Sequence, residues 1–248
     1  VTDMNALDAP PDAAATEAGA ADARPTVSED AAASDTPAVL AARLVEHHRR
    51  RRALFDWMHP QRLAAVPYAD CLRGRSARET GALAEAWLAA AGMPAPALAL
   101  FGAPGAALAL LPPAECLSVF RLRALLDRID EVRAWIDRPR RNLLGEWIGA
   151  RGVKLLLGPH RALAAGITPL ARRAPLTAAD GDALAWLGFR LFERECNWTP
   201  DGPLALMQLA LPALAEYAAP RSLAVMPDGR PSRSIVAQLP NLFPEWSW

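Results

Sequence analysis

The side chains that would bind a metal or shuttle protons are few in this chain, and their spacing does not bring them together. His47 and His48 are adjacent, so on a helix they face different sides. His59 and His160 have no cysteine or aspartate three or four residues on to complete a ligand set. Cys71, Cys116 and Cys196 are widely spaced and odd in number, which builds neither a disulfide framework nor a zinc site and fits a reducing compartment. The glycines near Phe101 lack the lysine and following Ser or Thr of a phosphate loop, and there is no nucleophile elbow. No catalytic, cofactor-binding or metal-ligating residue is assigned, and the chain is not expected to be an enzyme.

What remains is the chemistry of charge. Almost every base is an arginine, whose planar guanidinium suits bidentate contact with carboxylate or phosphate; Lys154 is the only lysine. The arginines run along the whole chain, however, which reads more simply as a compositional bias. The run His47-His-Arg-Arg-Arg-Arg52 would suit an acidic protein, an anionic surface, nucleic acid or the acidic start of this chain. Six consecutive helical side chains point in all directions, so no single groove engages them together, and a solvated helix end is the simpler reading.

A second charged stretch runs from Arg121 to Arg138. Leu122, Leu125, Ile129, Val132 and Ile136 advance by threes and fours, which predicts one apolar stripe on a helix with charge around the rest. Arg123 with Asp127, Asp130 with Arg133, and Arg133 with Asp137 sit at helical neighbour spacings. Exposed pairs of this kind contribute only a few tenths of a kcal/mol each, so their density points to a charged docking face or, equally, to a solvated helix surface.

The elements that must position these residues are helical. Thr36 and Pro37 open a helix with Leu40, Leu44, His48, Arg51, Phe55 and Met58 near one face, and Pro60 ends it. Ser76-Ala-Arg-Glu79 is a capping box for a helix that stops at Gly92. Pro112 and Pro113 start the long helix of the charged stretch, and Pro139 interrupts it. A second helix carries Leu144, Trp147, Ile148 and Leu155 to Gly158 and folds back on the first. Gly145 and Gly149, one turn apart, each cost about 1 kcal/mol in a helix, which close approach of another helix at that notch should offset. Thr177-Ala-Ala-Asp180 opens a helix with Leu184, Leu187, Leu191 and Phe192 buried, and Pro203 to Tyr217 forms another, kinked at Pro212. Strand signals are nearly absent. The expected class is all-α: a single helical domain over 37–248, of about seven to nine helices, after a tail over 1–36.

That tail is rich in Ala, Asp, Pro and Ser and holds no aromatic residue, which predicts disorder. Residues 1–38 carry eight acids and the single base Arg24, whereas residues 39–75 carry eight bases and three acids. The first thirty residues lack the apolar core of a secretory signal, which predicts a cytoplasmic protein. From Ala86 to Ala114 no side chain is charged, but five prolines and three glycines within it argue against a membrane span. A connector with one short buried helix around Ala106–Leu111 is expected instead.

Eight tryptophans complete the candidates. Trp87, Trp135, Trp147 and Trp186 lie on predicted helices and suit core anchoring, while Trp198, Trp246 and Trp248 sit in loop or terminal contexts that suit a partner. The pattern Arg-x-Arg-Ala-Leu at 121–125, Arg128, Glu131-Val-Arg133, Ile136-Asp-Arg138 and Trp147-x-Gly149 resembles the SctK family of bacterial type III secretion proteins, in particular its Hrp-type branch related to YscK. Leu242-Phe-Pro-Glu-Trp-Ser-Trp248 and Phe55-Asp-Trp-Met-His-Pro60 are further points of likeness, and the resemblance covers roughly residues 40–248. It implies a cytoplasmic, non-enzymatic component of the sorting platform beneath the injectisome, peripheral to the inner membrane. Such a component bridges the ring protein SctD and the pod protein SctQ, in the assembly that also holds SctL and the ATPase SctN. No cofactor, nucleic acid or membrane insertion is implied. The residues expected to meet partners are Arg123, Arg128, Glu131, Arg133, Trp135, Trp147, Gly149, Trp246 and Trp248.

Overall fold

Local capping signals set where the helices begin. Thr36 caps α1 (Pro37–Arg52), its hydroxyl accepting from the Val39 amide at 3.4 Å. The short helices α2 (Leu54–Trp57) and α3 (Pro60–Ala64) and a 3-10 turn at Ala69–Leu72 lead to α4 (Ala77–Ala90). Ser76 and Glu79 make both halves of the capping box there. The computed structural model describes residues 36–67, 69–72, 74–103, 105–158, 175–213 and 230–246, and every regular element among them is helical, as expected. Residues 1–35, the bulk of the expected acidic tail, lie outside them.

The uncharged, proline-rich connector folds into 3-10 turns at Leu98–Gly102 and Ala106–Leu110, the second where a short buried helix was expected. These turns bury Phe101, Leu108, Ala109 and Leu111. No helix among the described residues is long and apolar enough to cross a membrane.

The long helix expected from Pro112 to Arg138 is instead broken. It divides into α5 (Pro113–Leu126) and α6 (Ile129–Arg133), and a loop then leads to α7 (Arg138–Leu157). Pro139 begins a helix where it was expected to interrupt one. Asp137 caps α7 by accepting from the Arg140 amide at 3.0 Å, and a proline in the first turn has no needed amide to lose. The apolar stripe divides accordingly: Leu122, Leu125, Ile129 and Val132 are buried, while Ile136 is 88% exposed.

Nor is α5 amphipathic. Val119, Phe120, Leu122, Ala124, Leu125 and Leu126 cover all its sides and all are buried, because α7, α8 (Gly181–Glu195), α9 (Arg230–Ala237) and a 3-10 turn at Ala205–Ala210 pack around it. The approach of α8 is closest at Gly188, where a β-carbon would overlap the carbonyl of Phe120. Phe120, Phe189, Phe192 and Trp198 fill the neighbouring space, with Trp198 stacked on Phe192 at 5.5 Å. Trp198, expected in a partner-facing loop, is therefore part of this packing.

Within α7, Gly149 has φ 70° and ψ 165°, a region open essentially to glycine alone, and the helix kinks there. Among the described residues the notch expected at Gly145 and Gly149 has no occupant: no atom of another helix lies within 4 Å of a β-carbon built at either. Beyond the kink the buried register shifts, and Leu156 is buried where Leu155 was expected. The helix expected from Pro203 to Tyr217 is the 3-10 turn at Ala205–Ala210 followed by extended backbone at Leu211; residues 214–217 lie outside the described residues. A short α10 (Leu239–Leu242) follows α9. A smaller apolar cluster of Leu54, Phe55, Met58, Ala84, Leu88, Leu206 and Leu209 lies beside the main core, and Trp57 packs against both.

Candidate functional site

The basic run on α1 has two faces with different work. Arg43, His47, Arg50 and Arg51 recur at helical spacing and are buried, while Leu44 and Val45, the latter 67% exposed, point outward. Of the expected face, Arg51, Phe55 and Met58 are buried while Leu44 and His48 are exposed, so the buried stripe of α1 is turned partway round the helix, and the connector supplies the reason. Its prolines carry no amide hydrogen and its 3-10 turns end with unpaired carbonyls, so it needs donors from elsewhere. Arg43 donates to the Phe101 carbonyl at 2.7 Å. Arg50 donates to the carbonyls of Ala109, at 2.8 Å, and Leu111, and to the Met207 sulfur. Arg51 reaches the Met93 and Pro94 carbonyls at 3.1 Å each and pairs with Glu85 at 2.7 Å. His47 packs edge-on against Phe101, and burial, with Arg51 and Arg50 adding to it, pushes its pKa down to about 4.

Three of the residues expected to meet partners are in the interior. Arg123 is 2% exposed and joins Glu195, at 2.6 Å, to Asp127, at 2.7 Å. Glu195 also accepts from the Ser232 amide at 3.2 Å, which ties α5, α8 and α9 together. Burial alone would lower the Arg123 pKa and raise that of Glu195; their mutual hydrogen bond and charge, joined by Asp127 on the arginine and Ser232 on the glutamate, outweigh it and shift both the other way. Trp135 and Trp147 are buried with ring centroids 6.2 Å apart. Trp147 lies over Gly181 at the start of α8.

Three more are half-buried and held internally. Arg128 pairs with Glu131 at 2.6 Å, and the other oxygen of Glu131 accepts from the Leu176 amide at 2.7 Å. Trp246 packs against the main core, where Arg151 holds the C-terminal segment by Glu245 at 2.7 Å and the Leu242 carbonyl at 3.2 Å. Arg133 and Gly149 are exposed; Trp248 lies outside the described residues. Asp130 and Asp137 make no ion pair with Arg133 among the described residues, so the proposed charged face is not assembled along one helix. Beside Arg133, Ile136 projects from the loop before α7.

Sequence reasoning missed an open groove of about 680 Å³ between α1 and the start of α4. Val45, Arg49, Arg52 and Ala53 line one side, Arg75, Ala77 and Arg78 the other, with Asp56 between. The outward half of the His47–Arg52 run was the available signal. Cys116 and Cys196 are buried, and burial pushes both thiols up to about 11, far from a reactive thiolate. No group of three or more His, Cys, Asp or Glu arranged for a metal occurs among the described residues.

By class, this is an all-α protein with ionic ties inside and a basic groove on its surface. Residues 32–245 match the model of a family described as bacterial type III secretion protein (HrpB4), and the chain belongs to that family. It is a component of a bacterial type III secretion system, in agreement with the Hrp-type resemblance read from the sequence. Comparisons with curated proteins and with solved structures gave no match.

Proposed function

We propose that the protein is a non-enzymatic adaptor of the sorting platform, bridging an SctD-like inner-membrane ring protein and an SctQ-like pod protein. Through them it reaches SctL and the SctN ATPase, from a cytoplasmic position against the inner membrane. The observation that carries this reading is the family match over residues 32–245, joined to the likeness of the Arg121–Arg138 stretch and the C-terminal aromatic segment to SctK proteins. The architecture is consistent with it: internal ion pairs hold a helical body that carries two separate exposed features, the basic groove and the loop around Ile136. An adaptor needs two such surfaces on one rigid body.

The test is co-purification of the tagged chain with SctD-like and SctQ-like proteins, together with loss of secretion when its gene is deleted. Secretion that persists in the deletion, with the other platform proteins present, would end the proposal. Nucleic-acid binding through residues 47–52 is the weaker reading, because His47, Arg50 and Arg51 turn inward and leave only His48, Arg49 and Arg52 of that run for a phosphate backbone.

A further inference from the structure

The groove between α1 and α4 gathers more positive charge than its internal contacts neutralise. Arg49, Arg52, Arg75 and Arg78 face it with the single carboxylate of Asp56, in a chain whose net charge is zero. The inward arginines of α1 have carbonyls or Glu85 to bind. By contrast, Arg52 and Arg78 have no carboxylate within ion-pair distance among the described residues. Arg49 and Arg75 approach Glu46 and Glu79 only at 3.8 Å, with the Arg49 side chain 81% and that of Arg75 48% exposed, and Arg75 also donates to the Cys71 carbonyl at 3.2 Å. Four guanidinium groups held around one concavity repel one another and raise the local potential, which favours an anionic occupant.

The chemistry of the wall narrows that occupant. Val45 is 67% exposed, and Ala53 and Ala77 adjoin it, so an apolar strip lies among the arginines. We propose that this groove docks an acidic segment of a partner protein, with carboxylates on Arg49, Arg52, Arg75 and Arg78 and an aliphatic side chain against Val45. The inference rests on the adaptor reading and names the chemistry of one of its contacts. A volume of about 680 Å³ accepts a few side chains, and the apolar strip at Val45 matches an aliphatic side chain better than a phosphate backbone.

Fluorescence anisotropy of a labelled Glu/Leu peptide titrated with the full chain tests the proposal, with a Lys/Leu peptide, a DNA duplex and phosphatidylserine vesicles as comparisons. Saturable binding of the acidic peptide is expected, weakened by about tenfold in the double variant Arg49→Glu, Arg78→Glu and by about fivefold in Val45→Asp. All three side chains are exposed, so circular dichroism should show wild-type folding; the milder pair Arg49→Gln, Arg78→Gln gives a second reading of the same loss. No binding of the acidic peptide, binding unchanged by both double variants, or DNA or vesicle binding as tight as the peptide's and lost with the same variants would overturn the inference. If the charge-reversed chain still co-purifies with both platform partners, the groove is refuted while the adaptor reading stands. If the wild type binds the peptide but neither partner, the adaptor reading fails and the groove does not.

Discussion

Arg123 shows how a charged side chain can be structural while resembling a docking residue in sequence. Its guanidinium neutralises two carboxylates in the interior, so Arg123→Ala would strand Glu195 and Asp127 without a counter-charge. A loss of about 3–5 kcal/mol, read by urea unfolding, is expected. The i, i+4 spacing to Asp127 was legible, but not Glu195, which lies 72 residues away in sequence. His47 supplies a pH dependence. Its pKa falls from 6.5 to about 4 on folding, so the folded state favours the neutral ring. The stability this represents is complete above the unfolded value and is lost as pH drops from 6.5 towards 4, by up to about 3 kcal/mol. In His47→Leu, unfolding measured between pH 7 and 5 should lose that part of the slope.

At the level of elements, three glycines separate three physical roles. Gly188 lets α8 touch the α5 backbone at Phe120, and a carbonyl cannot rotate aside as a flexible side chain would, so Gly188→Ala should cost about 3 kcal/mol or prevent folding. Gly149→Ala should cost about 1–3 kcal/mol through its backbone conformation alone. Gly145→Ala, in open space within a helix, should stabilise by up to about 1 kcal/mol. Thermal unfolding of the three variants distinguishes them. Helix starts were readable because capping is local: Thr36, Ser76 with Glu79, and Thr177 with Asp180 all act as expected. Pro139 was misread because proline permits the first turn as firmly as it forbids the interior. The face of α1 was misread because three arginines are bound there by carbonyls of a connector some 40 to 60 residues away, and His47 by the ring of its Phe101, which no helical period records.

For the whole molecule, the two apolar clusters share Trp57, and Leu206 and Leu209 of the smaller one belong to the same 3-10 turn as Met207 of the larger. Far-UV circular dichroism and tryptophan fluorescence should therefore follow one unfolding curve; an earlier, separate loss of α1 to α4 would contradict this arrangement. The helical class and the family were legible because composition and the Arg121–Arg138 motif extend over long stretches of sequence, while the caps between them are each complete within four residues. The groove was not, since it exists only once α1 and α4 lie side by side. The ties across the molecule also bear on its birth at the ribosome. Arg50 awaits Met207, the His59 amide awaits the Leu209 carbonyl, and Arg62 awaits Leu211 and Pro212. At about 5–20 residues per second, the front of the chain is made on the order of ten seconds before those partners emerge. The segment around α3 is thus made early and secured late, and a nascent chain stalled short of residue 206 would hold Arg62 and the His59 amide without the carbonyls that bind them.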